Sequence, residues 1–248
     1  MEYLWLRIRA PFAAFRAFQA GVYRSTSPIM PPSAAFGLVL NLASIEMRDS
    51  TPGVTTLIRQ DLPCLNLAIG TPCYETESDE VIPVTESAVS TLYQQLHSYP
   101  VGASGKELKL RTHGAKYWIT PVRREVLVGL DMILGVQAEQ EILERVQLGL
   151  KGQLNESRYG LPFAGDNSFL FDQIDIMDEP PLTRWYLRMQ PDDRPRRGSY
   201  RLTVGINRAD NSKTSSFLYA PMENAVHSPP ELAWTWTPRM PETVEVAQ

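Results

Sequence analysis

Cysteine is nearly absent: 248 residues hold two, Cys64 and Cys73, beside three histidines. Neither cysteine has a partner at metal-ligand spacing, and so few ligands do not make a standard structural zinc site. Two thiols also make no disulfide scaffold, which points to a reducing cytoplasm and to a chain without metal or cofactor. No run of eighteen apolar residues occurs, so no membrane-spanning helix is expected. The opening MEYLWLRIRAPFAAF is broken by Arg7 and Arg9, which spoils it as the apolar core of a signal peptide. The nucleotide-binding patterns Gly-x-Gly-x-x-Gly and Gly-x-x-x-x-Gly-Lys-Ser/Thr are missing. Lysine is scarce as well, five residues against nineteen arginines.

Proline is what the chain has in quantity, twenty residues against fifteen glycines, which favours strands joined by stiff connections over a helix bundle. The net charge of −4 conceals a segregation. Residues 1–35 carry a net +3, residues 100–125 a net +4 and residues 184–213 a net +5, leaving −16 for the rest. A basic cleft on an acidic body attracts anions through its local field, whatever the total. Arginine suits that task because its planar fork binds phosphate bidentately and stacks on bases.

Along the chain, YLWLRIRA at 3–10 alternates: Leu4, Leu6 and Ile8 face a core, while Tyr3, Trp5, Arg7 and Arg9 form an outer face of the kind RNA-binding sheets use for stacking. A long loop containing Arg16, Tyr23, Arg24, Ser25 and Thr26 then feeds a helix over 34–46. Pro32 lies near its first turn, and Ser33 is placed to cap it. The N-terminus of that helix offers free N–H groups to a phosphate. LPCLNLAIG at 62–70 reads as a buried strand, 71–105 as an acidic irregular insertion, 106–121 as a basic hairpin turning near His113 and Gly114, and PVRREVLVGLDMILGVQA as a core strand. AEQEILERVQLGLKG is the clearest helix, with Ile142, Leu143, Val146 and Leu150 on one face and Gly152 at its end. The glycine loop RYGLPFAGDN follows, then strands at TRWYLRM, SYRLTVGIN and SSFLYAP, and a tail holding Trp234 and Trp236.

This order predicts an α+β fold, a ferredoxin-like (RRM-type) domain over 1–190 with an inserted β-hairpin thumb at about 72–121, and a β-rich C-terminal extension over 191–248.

Several stretches resemble one family. P-F-A-A-F-R at 11–16, Y-R-S-T at 23–26 and P-P-S-A-A-F-G-L at 31–38 are similar to the opening signature of the Cas five family of RAMP proteins. P-V-R-R-E-V-L at 121–127, R-Y-G-L-P-F-A-G-D-N at 158–167 and V-G-I-N-R-A-D-N-S-K-T at 204–214 resemble its DevS-like branch. The resemblance implies a non-catalytic subunit that caps the foot of a type I CRISPR Cascade complex and grips the 5′ handle of the crRNA. The implied partners are the crRNA, the neighbouring backbone subunit, the large subunit and, through the complex, target DNA. Arg16 matches the family's Phe-Arg pair, and 23–26 matches its Tyr-Arg-x-Thr step. The glycine loop matches the segment that lies beside the RNA backbone. The candidate RNA-binding set is therefore Arg16, Tyr23, Arg24, Ser25, Thr26, Ser33, Lys116, Arg123, Arg124, Arg158, Gly160 and Gly165.

One branch of that family cuts precursor crRNA without metal, using Tyr, Lys and His. The chemistry needs a base for the 2′-OH and a cation or acid for the leaving oxygen. His113, Lys116 and Tyr117, with Tyr23, supply those types here, and a metal-independent endoribonuclease is the alternative reading. Against it, residues 113 and 117 share strand parity while 116 faces the opposite way.

Overall fold

The alternation at the N-terminus builds strand β1 (Glu2–Ala13), whose Leu4, Leu6 and Ile8 are fully buried. The computed structural model describes residues 2–16, 23–52, 56–100, 117–190, 192–194 and 196–239. The short strand β2 (Tyr23–Arg24) precedes helix α1 (Pro32–Leu42). Pro31 is the N-cap residue and Pro32 the first helical residue. Ser33 therefore sits one position inside the helix and makes no cap, contrary to its reading as a capping serine. The helix stops at Leu42, short of the expected residue 46, because Ser44 turns into the left-handed region at φ 54°.

Strands β3 (Leu65–Glu75), β4 (Val81–Pro83) and β5 (Ala88–Pro100) follow, then the 22-residue β6 (Tyr117–Ala138). Here the expectation of an irregular insertion over 71–105 fails. Residues 71–75 complete β3, and 88–100 form β5, because the second half of the stretch finds a partner in β6 from Ala88↔Val128 to Pro100↔Tyr117. Of the expected basic hairpin at 106–121, only residues 117–121 are described; they open β6 and pair with β5. The proposed turn at His113 and Gly114 lies outside the described residues.

Helix α2 (Gln140–Leu150) buries Leu143 and Val146 as its periodicity predicts, and packs on α1. Strand β7 (Gln173–Met177) then pairs with β1, and β8 (Thr183–Arg188) with β3. TRWYLRM is thus not the strand that closes the core beside β1. The five-residue QIDIM does so, too short to stand out by periodicity. Strands β9 (Tyr200–Gly205), β10 (Ser215–Pro221) and β11 (Trp234–Thr237) complete the sheet.

All four central neighbours, in the order β7–β1–β6–β3, run antiparallel. Helices α1 and α2 pack on the side of Leu6, Met132 and Leu134, giving an α+β arrangement with one main core among the described residues. Along β6 the second half pairs with β1 and β3, while the first half pairs with β5 and β2 and leaves the core as an arm.

The opposite sheet face is largely covered. Trp185, Ile133, Ala68 and Ala233 form a second apolar cluster with Trp5 and Trp234 against it. Arg7 donates two hydrogen bonds to Asp131, at 3.0 and 2.8 Å, and Arg9 donates to Gln173. Of the outer face expected to offer Trp5, Arg7 and Arg9, only Tyr3 is more than half exposed, at 54%.

Candidate nucleic-acid interface

Where β1 ends, the chain runs into the loop of Arg16, returns as β2, and meets the root of the β5–β6 arm and the glycine loop. Thr26 pins this junction. Its hydroxyl accepts from the Phe15 N–H at 2.9 Å, and its own N–H donates to Glu125 at 3.0 Å. An isolated bridge joins Arg16 to Thr26, so the two ends of the loop are held side by side. The glycine loop closes on the same place, with the Ala14 N–H donating to the Ala164 carbonyl at 2.9 Å. Gly165 has φ +79°, and a Cβ there would collide with the Ala14 carbonyl, so the sequence needs glycine at this contact.

Three guanidinium groups gather around one carboxylate. Arg124 is buried and donates to Asp166 at 2.7 Å and to Gln94 at 2.9 Å. Arg16 reaches the same Asp166 oxygen only at 4.0 Å, with 60% of its side chain exposed. Burial, followed by the charges of Arg16 and Arg124, lowers the Arg24 pKa, while Asp166 opposes the shift. Burial pushes the Asp166 carboxyl up, but hydrogen bonds from Ser168 and Arg124 outweigh it, and the group lies below its ordinary value. The cluster holds more positive than negative charge on a partly desolvated surface, which favours a bound anion. Ser25 adds a buried hydroxyl oxygen with no hydrogen-bond partner among the described residues.

The other face of the arm root differs. Register places Tyr23 beside Arg123 and Arg123 beside Tyr93, while Arg24, Arg124 and Leu92 form the next row on the opposite face. The Tyr23 hydroxyl donates to Glu125. That bond, with burial second, raises the Tyr23 pKa above its ordinary value.

The fold is shared with a CRISPR protein. A chain of a solved structure titled CRISPR RNA-guided surveillance complex superposes with a TM-score of 0.56 at 12% identity, covering 92% of this chain and 92% of its own. A structure titled Crystal structure of Cas protein gives a TM-score of 0.46 at 12% identity, covering 92% of this chain and 100% of that one. No family model and no curated protein matches the sequence.

The predicted set therefore divides. Arg16, Tyr23, Arg24, Ser25, Thr26, Arg123, Arg124 and Gly165 come together at the junction. Ser33 lies elsewhere, lining a cavity of about 320 Å³ with Phe36 and Met47. Arg158 and Gly160 flank Tyr159, whose carbonyl accepts from Asn41 at 3.2 Å and whose ring lies 3.0 Å from the Arg48 guanidinium carbon, near the C-terminal end of α1. His113 and Lys116 fall outside the described residues, and Tyr117 opens β6. Sequence reading missed Glu125, Gln94 and Tyr93. Only the strand register across β2, β5 and β6 reveals them, and no sequence motif announces it.

Proposed function

We propose that this chain is a non-catalytic RNA-binding subunit of a type I CRISPR effector complex, of the DevS-like branch of the Cas five family. Its β1–α1–β3–β6–α2–β7 order with sheet neighbours β7–β1–β6–β3 is read as a ferredoxin-like, RRM-type core. The β5–β6 arm is read as the thumb. In this reading the junction grips the crRNA 5′ handle, the arm meets the adjacent backbone subunit, and the large subunit docks on the assembled foot. The observation that carries the proposal is the cluster of Arg16, Arg24 and Arg124 around the single carboxylate of Asp166, at the meeting point of loop, arm and glycine loop. The shared fold supports it. The Tyr23 hydroxyl is held by Glu125, a contact that positions its ring at the junction.

Incubating the full chain with its cognate repeat RNA in EDTA, followed by native and denaturing gels, tests this. A shifted, uncut RNA is the expected result. A discrete cut abolished by His113→Ala or Lys116→Ala would replace the proposal with an endoribonuclease, and the lack of any shift would remove RNA binding by the isolated chain.

A further inference from the structure

We propose that Tyr93, Arg123 and Tyr23 form a base-stacking platform for single-stranded RNA at the root of the arm, an inference that rests on the RNA-binding reading above. The three residues come from three strands and share one transverse row, since Tyr23 is the β2 partner of Arg123 and Tyr93 is its β5 partner. Cross-strand partners point to the same face of a sheet, so the row reads aromatic, guanidinium, aromatic. The Arg123 guanidinium carbon lies 5.7 Å from the Tyr23 ring centroid.

Other aromatic rings are exposed too, Tyr3 and Tyr159 among them, but this row sets two exposed rings on either side of an exposed guanidinium. Tyr93 is 75% exposed and Tyr23 38%, with Arg123 exposed between them. Trp5 and Trp185, by contrast, are packed in the second apolar cluster. A ring left in water on a rigid strand gains by covering a planar apolar surface, and the cation beside it selects an electron-rich or anionic one. Unpaired nucleobases offer such a surface on a phosphate chain, and sequence-tolerant RNA binding uses alternating aromatic and arginine groups for it. Glu125, the carboxylate on the same face, is engaged by the Tyr23 hydroxyl and the Thr26 N–H, so it fixes the Tyr23 ring.

The division of labour follows from strand parity. Arg24 and Arg124 lie one residue along from Tyr23 and Arg123, on the opposite face, beside Arg16 and Asp166. Phosphates meet the first face and bases the second, so the RNA turns around the arm root.

The test uses the full chain and a fluorescein-labelled, eight-nucleotide single-stranded RNA, titrated at several salt concentrations. Tyr93→Ala weakens binding about 5- to 150-fold, the range for loss of one base–aromatic stack, and leaves the salt slope unchanged. Tyr93→Phe restores the affinity. Arg16→Ala weakens binding and also flattens the slope by about 0.7. If Tyr93→Ala binds as the parent does while Arg16→Ala does not, the platform is overturned and the RNA-binding reading stands. If Tyr93→Ala flattens the slope as Arg16→Ala does, stacking is overturned. If the parent binds no RNA, RNA binding by the isolated chain is overturned and the platform with it.

Discussion

The indoles of Trp5 and Trp234 meet with ring centroids 5.9 Å apart, above a glycine. Register explains the contact: Trp5 pairs with Gly135, Gly135 with Ala68 and Ala68 with Trp234, so two small residues lie between two large ones in a single row. A Cβ on Gly135 would sit 2.5 Å from the Trp5 ring. Gly135→Ala is expected to destabilise by about 1–3 kcal/mol through overpacking, read as a fall in Tm. A double-mutant cycle of Trp5→Ala and Trp234→Ala should give a coupling of about 0.5–1.5 kcal/mol. Additive effects would show that β11 is held by its backbone ladder alone.

Asp166 is the counter-charge of a buried arginine. Its replacement by asparagine keeps the shape and strands Arg124, at an expected cost of roughly 3 kcal/mol. The pH dependence follows from the lowered carboxyl value. A depressed carboxyl contributes stability above its unfolded value, near 3.9, and loses it as pH falls through the folded one. Thermal melts below about pH 4 should therefore show an acid-dependent loss in the parent that Asp166→Asn lacks.

Arg16 makes only a 4.0 Å contact and is mostly in water, so Arg16→Ala should leave the melting curve within about 0.5 kcal/mol of the parent. Handle RNA binding should weaken by about 1.5–3 kcal/mol, the value of a charge-assisted hydrogen bond. Equal affinity in a gel-shift titration would detach the loop from the RNA.

Ser33 tests the start of α1. Because its side chain makes no cap bond, Ser33→Ala should melt with the parent, whereas loss of a true cap costs about 1 kcal/mol. A clear fall in Tm would mean that the hydroxyl bonds elsewhere.

Much of the framework was legible because it is periodic. Strand β1 and α2 follow from apolar spacing, α1 from Pro32 ahead of an apolar stretch, and β8, β9 and β10 from short apolar runs. The loop of Arg16 and Tyr23 was legible as excess length with charge. Long-range pairing was harder to read. AVSTLYQQLHSYP has little apolar contrast on either face and becomes β5 because β6 extends past the core to meet it. QIDIM closes the sheet beside β1 through an edge that only β1 defines. Asp166 and Tyr93 belong to the candidate site through partners 42 and 30 residues away in sequence, a relation that no local pattern contains.

The single strand β6 serves both the core and the arm. Its 22 residues run with no loop between the two halves, and Gly129, at φ +72°, lies near their boundary. Its core half is clamped on one edge by β1 and on the other by β3. The first half of β6 is thus continuous with a strand whose register is held on both edges. A slip of one residue would carry Met132, Leu134 and Val136 from the main core to the opposite sheet face, so the course of the first half of β6 is set by the packing of its second half.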